Sequence, residues 1–176
     1  MSWAKTQSDN SLGFHLEIVM DRSQKMDKPR PYVTAALLCE RVLQEKDGSL
    51  TLVRIAEKLQ YRLDMFGPDM PKSVKPMIPI QGLISIKSGP VTGDHVIKIS
   101  VEKPGSKPGS ERKDAFTQPV TLLGGDQGQN IILNIGLGVE SDGLYWLDVI
   151  FDEEVLTRIP LMVTALPPLE SQEQKA

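Results

Sequence analysis

A single cysteine, Cys39, occurs in this chain of 176 residues, so no intramolecular disulfide can brace it. The two histidines, His15 and His95, stand at no ligand-like spacing, and with one thiol they offer too few donors for a usual structural zinc site. No apolar run approaches the ~18 residues that would suggest a membrane-spanning helix. Net charge is nearly absent too: the formal value of -3 is too small to drive association with nucleic acid. Met1 to Ser11 is polar and lacks the apolar core of a secretory signal, so the expected compartment is the cytoplasm. There is no P-loop pattern and no Gly-x-Ser-x-Gly nucleophile turn. The expectation is therefore a protein without metal, cofactor or catalytic constellation, and not an enzyme.

What is present is alternation. Hydrophobic residues make up 40% and charged residues 24%, an ordinary balance for one globular domain that buries roughly 70% of its unfolded surface. The cleanest pattern runs from Gly143 to Val163, where Tyr145, Leu147, Val149 and Phe151 share one strand face and Val155, Thr157, Ile159, Leu161 and Val163 share another. With Asp152, Glu153 and Glu154 as the loop, the register sets Phe151 against Val155, Leu147 against Ile159, Asp148 against Arg158 and Trp146 against Pro160. Proline lacks a ladder donor, which points to the second of these strands as an edge.

Taken in order, 1–13 reads as a flexible segment, and Phe14 to Met20 alternates as a strand. Tyr32 to Gln60 is ambiguous. Its helix formers allow a helix-turn-helix over Thr34 to Leu63, whereas a hairpin with Lys46, Asp47 and Gly48 as its loop sets Glu40 against Arg54, Val42 against Leu52 and Cys39 against Ile55. A short helix over Ala56 to Gly67 is compatible with either. Asp69 to Pro79 is proline-rich and reads as a crossing loop. Gly82 to Ile86 and Ile97 to Val101 read as a hairpin about Gly89 to Gly93. Phe116 to Leu123 reads as a near-edge strand weakened by Pro119, followed by a turn at Gly124 to Gly128 and a regular strand from Ile131 to Val139. Pro104 to Asp114 and the 166–176 tail read as mobile.

The run PYVTAALLCERVLQEKDGSLTLVRIAEKL, Pro31 to Leu59, resembles the opening of a family of small bacterial proteins catalogued as a domain of unknown function, which also shares a closing hairpin of the Gly143 to Val163 kind. The resemblance implies an immunoglobulin-like β-sandwich and no activity. The fold expected is all-β: an antiparallel immunoglobulin-like sandwich of about eight or nine strands over residues 14–165, with at most one short helix.

Candidate sites are few. Cys39, between Leu38 and Glu40, reads as a small buried hydrophobe. GGDQG at Gly124 to Gly128 and GLG at Gly136 to Gly138 lie among strand patterns and so lack the helix N-terminus of a phosphate cradle. Asp47, Asp94, Asp126, Asp142 and Asp152 fall at loop tips, where turn chemistry is the first explanation and calcium the second. Leu144, Trp146, Ile150, Leu156 and Met162 are the candidate apolar patch for a protein partner or for self-association. The function expected is a non-catalytic binding or assembly module that docks a protein through a sheet edge or face. The alternatives are a small helix-turn-helix DNA-binding regulator and a ligand- or carbohydrate-binding sandwich domain.

Overall fold

The structure, a computed structural model, describes residues 28–62, 75–107 and 113–167. The expected flexible segment 1–13, the expected strand at Phe14 to Met20, residues 69–74 and 108–112 of the two expected loops, and 168–176 of the expected tail lie outside the described residues.

Every element among them is a strand: β1 Tyr32–Gln44, β2 Leu50–Ile55, β3 Lys58–Tyr61, β4 Met77–Glu102, β5 Lys113–Gly138, β6 Gly143–Phe151 and β7 Glu154–Ala165. They form one seven-stranded sheet in the order β2-β1-β4-β6-β7-β3, with β5 attached to β4. All pairings are antiparallel except β3 with β7, which is parallel. The sheet curls until β1 approaches β7, and residues of both, Leu38 with Leu161 and Val163, belong to one apolar core. The expected all-β class is thus observed. Among the described residues stand seven strands in a mixed, curled sheet rather than an antiparallel sandwich, and one of the eight or nine strands expected, Phe14 to Met20, lies outside them.

The β1–β2 hairpin replaces the helix-turn-helix reading. Helix propensity over residues 34–62 gives way to cross-strand pairing, a tertiary gain that propensity does not contain. Val42 pairs with Leu52 and Cys39 with Ile55, while Glu40 and Arg54 meet at 3.2 Å. Gly48 adopts φ 87°, and its N–H bonds the Glu45 carbonyl, closing the three-residue loop at Lys46 to Gly48. The short helix is corrected over 56–62, since Lys58–Tyr61 is strand β3, paired with Met162 to Ala165, while 63–67 lie outside the described residues.

A second correction concerns the middle of the chain. Gly82 to Ile86 and Ile97 to Val101 do not pair with each other; they are the two halves of β4. Likewise the expected turn at Gly124 to Gly128 lies inside β5. Both strands stay hydrogen-bonded from Met77 opposite Gly138 to Val101 opposite Lys113, and the register shifts once between Ile99 and Ser100 and twice between Lys87 and Thr92. There β4 carries Gly89 and Gly93 at φ 56° and 106°, and β5 carries Gly124 and Gly125 at φ 80° and 62°. Glycine admits the left-handed backbone that a bulge requires. The bulges also switch parity: Ile80, Ile84 and Ile86 are buried before the bend, Ile97 and Ile99 after it. Apolar alternation broken by glycines looks the same in sequence whether the chain reverses or bends.

The bend gives β4 two neighbours along one edge. Its first half pairs with β1 and its second half with β6. Tyr145, fully buried on β6, anchors the turn before it: its hydroxyl accepts from the Glu140 N–H at 3.1 Å and donates to the Ser141 carbonyl at 3.0 Å.

The β6–β7 register matches expectation from Gly143 opposite Val163 to Val149 opposite Thr157. Beyond that it slips. A bulge sets Ile150 against Val155 and Phe151 against Glu154, so the loop has two residues, Asp152 and Glu153, at φ 44° and 76°. Two positive φ values are the hallmark of the hairpin turn whose twist fits its strands, and the bulge takes up the residue left over. Leu156 consequently packs against the core, while Val155 faces solvent.

Two substitutions test these constraints by urea unfolding. Glu153→Gly should stabilise the protein by about 1 kcal/mol, because a left-handed residue without Cβ carries no steric penalty. Gly82→Ala should cost about 1–3 kcal/mol as overpacking, since its Cβ would lie 2.7 Å from the Leu37 carbonyl oxygen. A destabilised Glu153→Gly would count against the turn geometry.

Candidate functional site

Four places concentrate polar chemistry or unpaired surface. The first joins the β6–β7 turn to the bend of β4. His95 Nδ1 lies 2.5 Å from Asp152 Oδ2, and Asp152 Oδ1 accepts the Val96 N–H at 3.0 Å. His95 Nε2 is 3.2 Å from the Thr92 carbonyl, and the ring stacks on Phe151 at 4.7 Å. Both ring nitrogens therefore face acceptors, which the imidazolium satisfies. The hydrogen bond to Asp152 raises the His95 pKa, with burial opposing and the Thr92 carbonyl assisting. For Asp152, burial alone would raise the pKa, but the bonds from His95 and the Val96 N–H outweigh it and the result is lowered. A cleft of about 320 Å³ beside this pair is bordered by Lys28, Arg30 and Glu154. The 57-residue separation of His95 and Asp152 left no sequence signal.

The second is an ion cluster at the end of β5. Glu140 accepts from Lys75 at 2.6 Å and also from Lys103. Lys103 first, then Lys75, holds its carboxyl down at about 2.

The third is the outer face of β6 and β7, where the candidate patch was expected. Leu144 and Met162 pair and are 37% and 42% exposed. Trp146 is half-buried, opposite Pro160, with the Arg158 guanidinium 4.9 Å above its ring. Ile150 is half-buried opposite Val155, and Leu156, through the bulge, packs against the core. Between the Trp146 and Ile150 rows lies Asp148, 1% exposed, whose Oδ1 accepts from Arg158 Nε at 2.6 Å; Arg158 also reaches Glu102 at 2.5 Å. The patch is thus divided by an ionic centre, leaving Leu144 and Met162 as its exposed pair.

The fourth is the free side of β5. Among the described residues β5 pairs only β4, so its other side is an edge, as Pro119 suggested for the first half. The Val139 N–H bonds the Pro76 carbonyl, and Pro79, which has no N–H, stands opposite Gly136. Antiparallel alternation then directs the N–H and C=O groups of Asn130, Ile132, Asn134, Gly136 and Gly138 outward. Asn130, Asn134 and Gly136 are exposed. Gly128 to Gly138 contains no charged residue and no proline. An open groove of about 660 Å³ runs beside it, lined in part by Met77, Gln81, Asn134 and Gly136. Met77 Cε occupies the space that a Cβ on Gly136 would need, at 2.8 Å, so the missing side chain lets Met77 lie across the strand. In sequence these glycines read as a bend or as a face where another backbone approaches closely; the charge-free run was the further signal.

Four of the five loop aspartates hold protein hydrogen bonds, Asp152 those described above. Asp47 accepts from Ser49, Asp94 from Thr121, and Asp142 from the Ala165 N–H. Among the described residues no three His, Cys, Asp or Glu side chains converge as a metal site would require. Cys39 is fully buried, which raises its thiol pKa.

The His95–Asp152 pair carries a pH signature. A raised imidazole pKa contributes stability in full below its ordinary value near 6.5, and loses it as pH rises through the folded value; the lowered carboxyl contributes above its ordinary value near 3.8 and loses it as pH falls. The melting-temperature difference between wild type and His95→Gln should therefore be larger near about pH 5.5 than near about pH 8.5; equal differences would exclude an ionic contribution. Arg158→Leu should cost about 2–3 kcal/mol by chemical unfolding, below the full cost of breaking a buried pair because Arg158 is partly solvated. A neutral result would show that Asp148 does not rely on it.

No protein-family model and no curated protein matches the chain. Among solved structures it is similar to part of a β-glucosidase from Listeria innocua, with TM-score 0.40 and 12% identity over 63% of this chain and 15% of that one. The isofagomine complex of a β-glucosidase from that organism gives TM-score 0.41 and 10% identity over 79% of this chain and 17% of that one. The chain spans less than a fifth of the enzyme's length, and at this level of likeness nothing about the enzyme's activity passes to it.

Proposed function

We propose that the chain is a non-catalytic docking module that receives a protein partner as an added strand along the free edge of β5. One observation carries this reading: the outward backbone groups of Asn130 to Gly138 lie on an exposed edge with no charge and no proline. Added strands gain affinity from main-chain bonds and specificity from neighbouring side-chain pockets, here the groove at Met77, Gln81 and Asn134.

The other edges contrast with it. β2 and β3 are short, and the free stretch of β7, Glu154 to Leu161, carries Arg158 and Pro160. Short length, charge and proline each blunt an edge against pairing. The first half of β5 has Pro119 and the bulged glycines. The second half has none of these guards.

A non-catalytic role also agrees with His95, whose two nitrogens are both engaged and leave no free base. The exposed pair Leu144 and Met162 is a secondary contact surface in the same proposal.

Affinity capture from the source cells tests the edge, using tagged wild type beside tagged Asn130→Pro. Proline here removes an outward N–H and no bond to β4, so the melting temperature should change little. A protein retained by wild type and lost with Asn130→Pro is the expected result; equal retention by the two would overturn docking at this edge.

A further inference from the structure

Resting on that edge-docking reading, we infer that the partner strand is β5 of a second copy of this chain, paired antiparallel about a two-fold axis at Ile132. An antiparallel strand pair of identical chains is self-complementary, since each contact occurs twice. With the axis at Ile132, the outward-facing residues match by kind. Ile132 meets Ile132, Asn130 meets Asn134, and Gly128 meets Gly136. Apolar faces apolar, amide faces amide, and the small residues coincide. Sliding one strand by one outward residue would set Ile132 against Asn134, and sliding it by two would set Ile132 against Gly136, so either shift leaves the isoleucine without an apolar partner.

Charge favours the same register. No ionised side chain lies between Gly128 and Gly138, so the two copies bring no like charges together along the ladder. At its ends, Asp126 of one copy comes opposite Gly138 of the other. Gly138 borders the cleft that also holds Lys75, Lys103 and Glu140. Lys75 and Lys103 meet Glu140 there and Asp114 lines the same cleft, so its lysines and carboxylates balance and the incoming Asp126 meets no net charge. The same pairing at the opposite end repeats the contact by symmetry.

The geometry leaves room for it. Gly136 is exposed and Gly138 half-exposed, and Met77 lies over both, its Sδ 3.4 Å from the Cβ position of Gly138. No large side chain on these two residues projects beside the incoming strand. Each hydrogen-bonded pair exchanges two backbone bonds, so the segment from Gly128 to Gly136 supplies about ten, the number a standard-size interface carries. The groove at Gln81 and Asn134 lies beside this ladder in both copies.

Sedimentation equilibrium of the purified full chain decides the matter, with Asn130→Pro and Asn134→Lys as variants. Wild type is expected at twice the chain mass of 19.5 kDa, falling twofold to the single-chain value in each variant, with unchanged circular dichroism. Proline removes two bonds of the symmetric ladder, and lysine places charge beside it without altering the outward N–H groups, so the second variant serves if the first misfolds. A wild-type monomer at every accessible concentration overturns self-pairing while leaving edge docking to the capture experiment. A dimer indifferent to both substitutions overturns self-pairing at this edge, and equal capture by wild type and Asn130→Pro overturns the docking reading itself.

Discussion

The hydrogen-bonded ladder between β4 and β5 is the constraint on which the other strands depend. It runs unbroken in direction from Met77 opposite Gly138 to Val101 opposite Lys113, yet it must bend, because a straight ribbon of that length could not enclose a core. Gly89, Gly93, Gly124 and Gly125 supply the bend at one level of both strands. The register shifts there also move the buried positions from Ile84 and Ile86 to Ile97 and Ile99, so the apolar face stays inward on both sides. A bend without that change of parity would turn one half inside out. Only because β4 bends can β1 and β6 occupy successive stretches of the same edge.

Polar groups then hold the connections rather than the core. Tyr145 closes the turn after β5, the His95–Asp152 pair ties the β6–β7 turn to the bend, and Lys75 and Lys103 gather on Glu140. On the outer sheet face Asp148 is nearly inaccessible, and the adjacent Ser100 hydroxyl is buried without a hydrogen-bond partner among the described residues. Arg158 bridges Asp148, Glu102 and the Trp146 ring. Such a centre specifies register more than it adds stability, since desolvating a carboxylate offsets much of the attraction it gains.

The functional reading follows from what remains unpaired. A β-sheet edge that is long, flat and uncharged attracts another strand unless it is guarded. Here the guards are unevenly distributed: proline, charge or shortness on β2, β3, β7 and the first half of β5, and none on Gly128 to Gly138. The outward amides are a consequence of where Pro79 and Val139 sit in the ladder, so the proposed docking surface is an outcome of register.

The sequence by itself determined the elements whose partners are close along the chain. The Cys39–Ile55 and Val42–Leu52 pairs, and the β6–β7 register up to Val149, follow from alternation, turn residues and opposite charges within a short span. Pro119 marked an edge because a missing donor is a local property, whereas β7, which Pro160 suggested as an edge, is flanked by β3 over Met162 to Ala165 and is open among the described residues only before it. Tertiary structure alone decided the rest. Whether Gly89 to Gly93 reverses the chain or bends it depends on β5, which is distant in sequence. β3 became strand rather than helix because β7 offered it a ladder, and Leu156 left the expected patch because a two-residue turn displaced one residue into a bulge. The edge that β5 presents among the described residues was equally hidden, for an edge depends on which strands lie beside it, and that is a fact of packing which a local pattern does not contain.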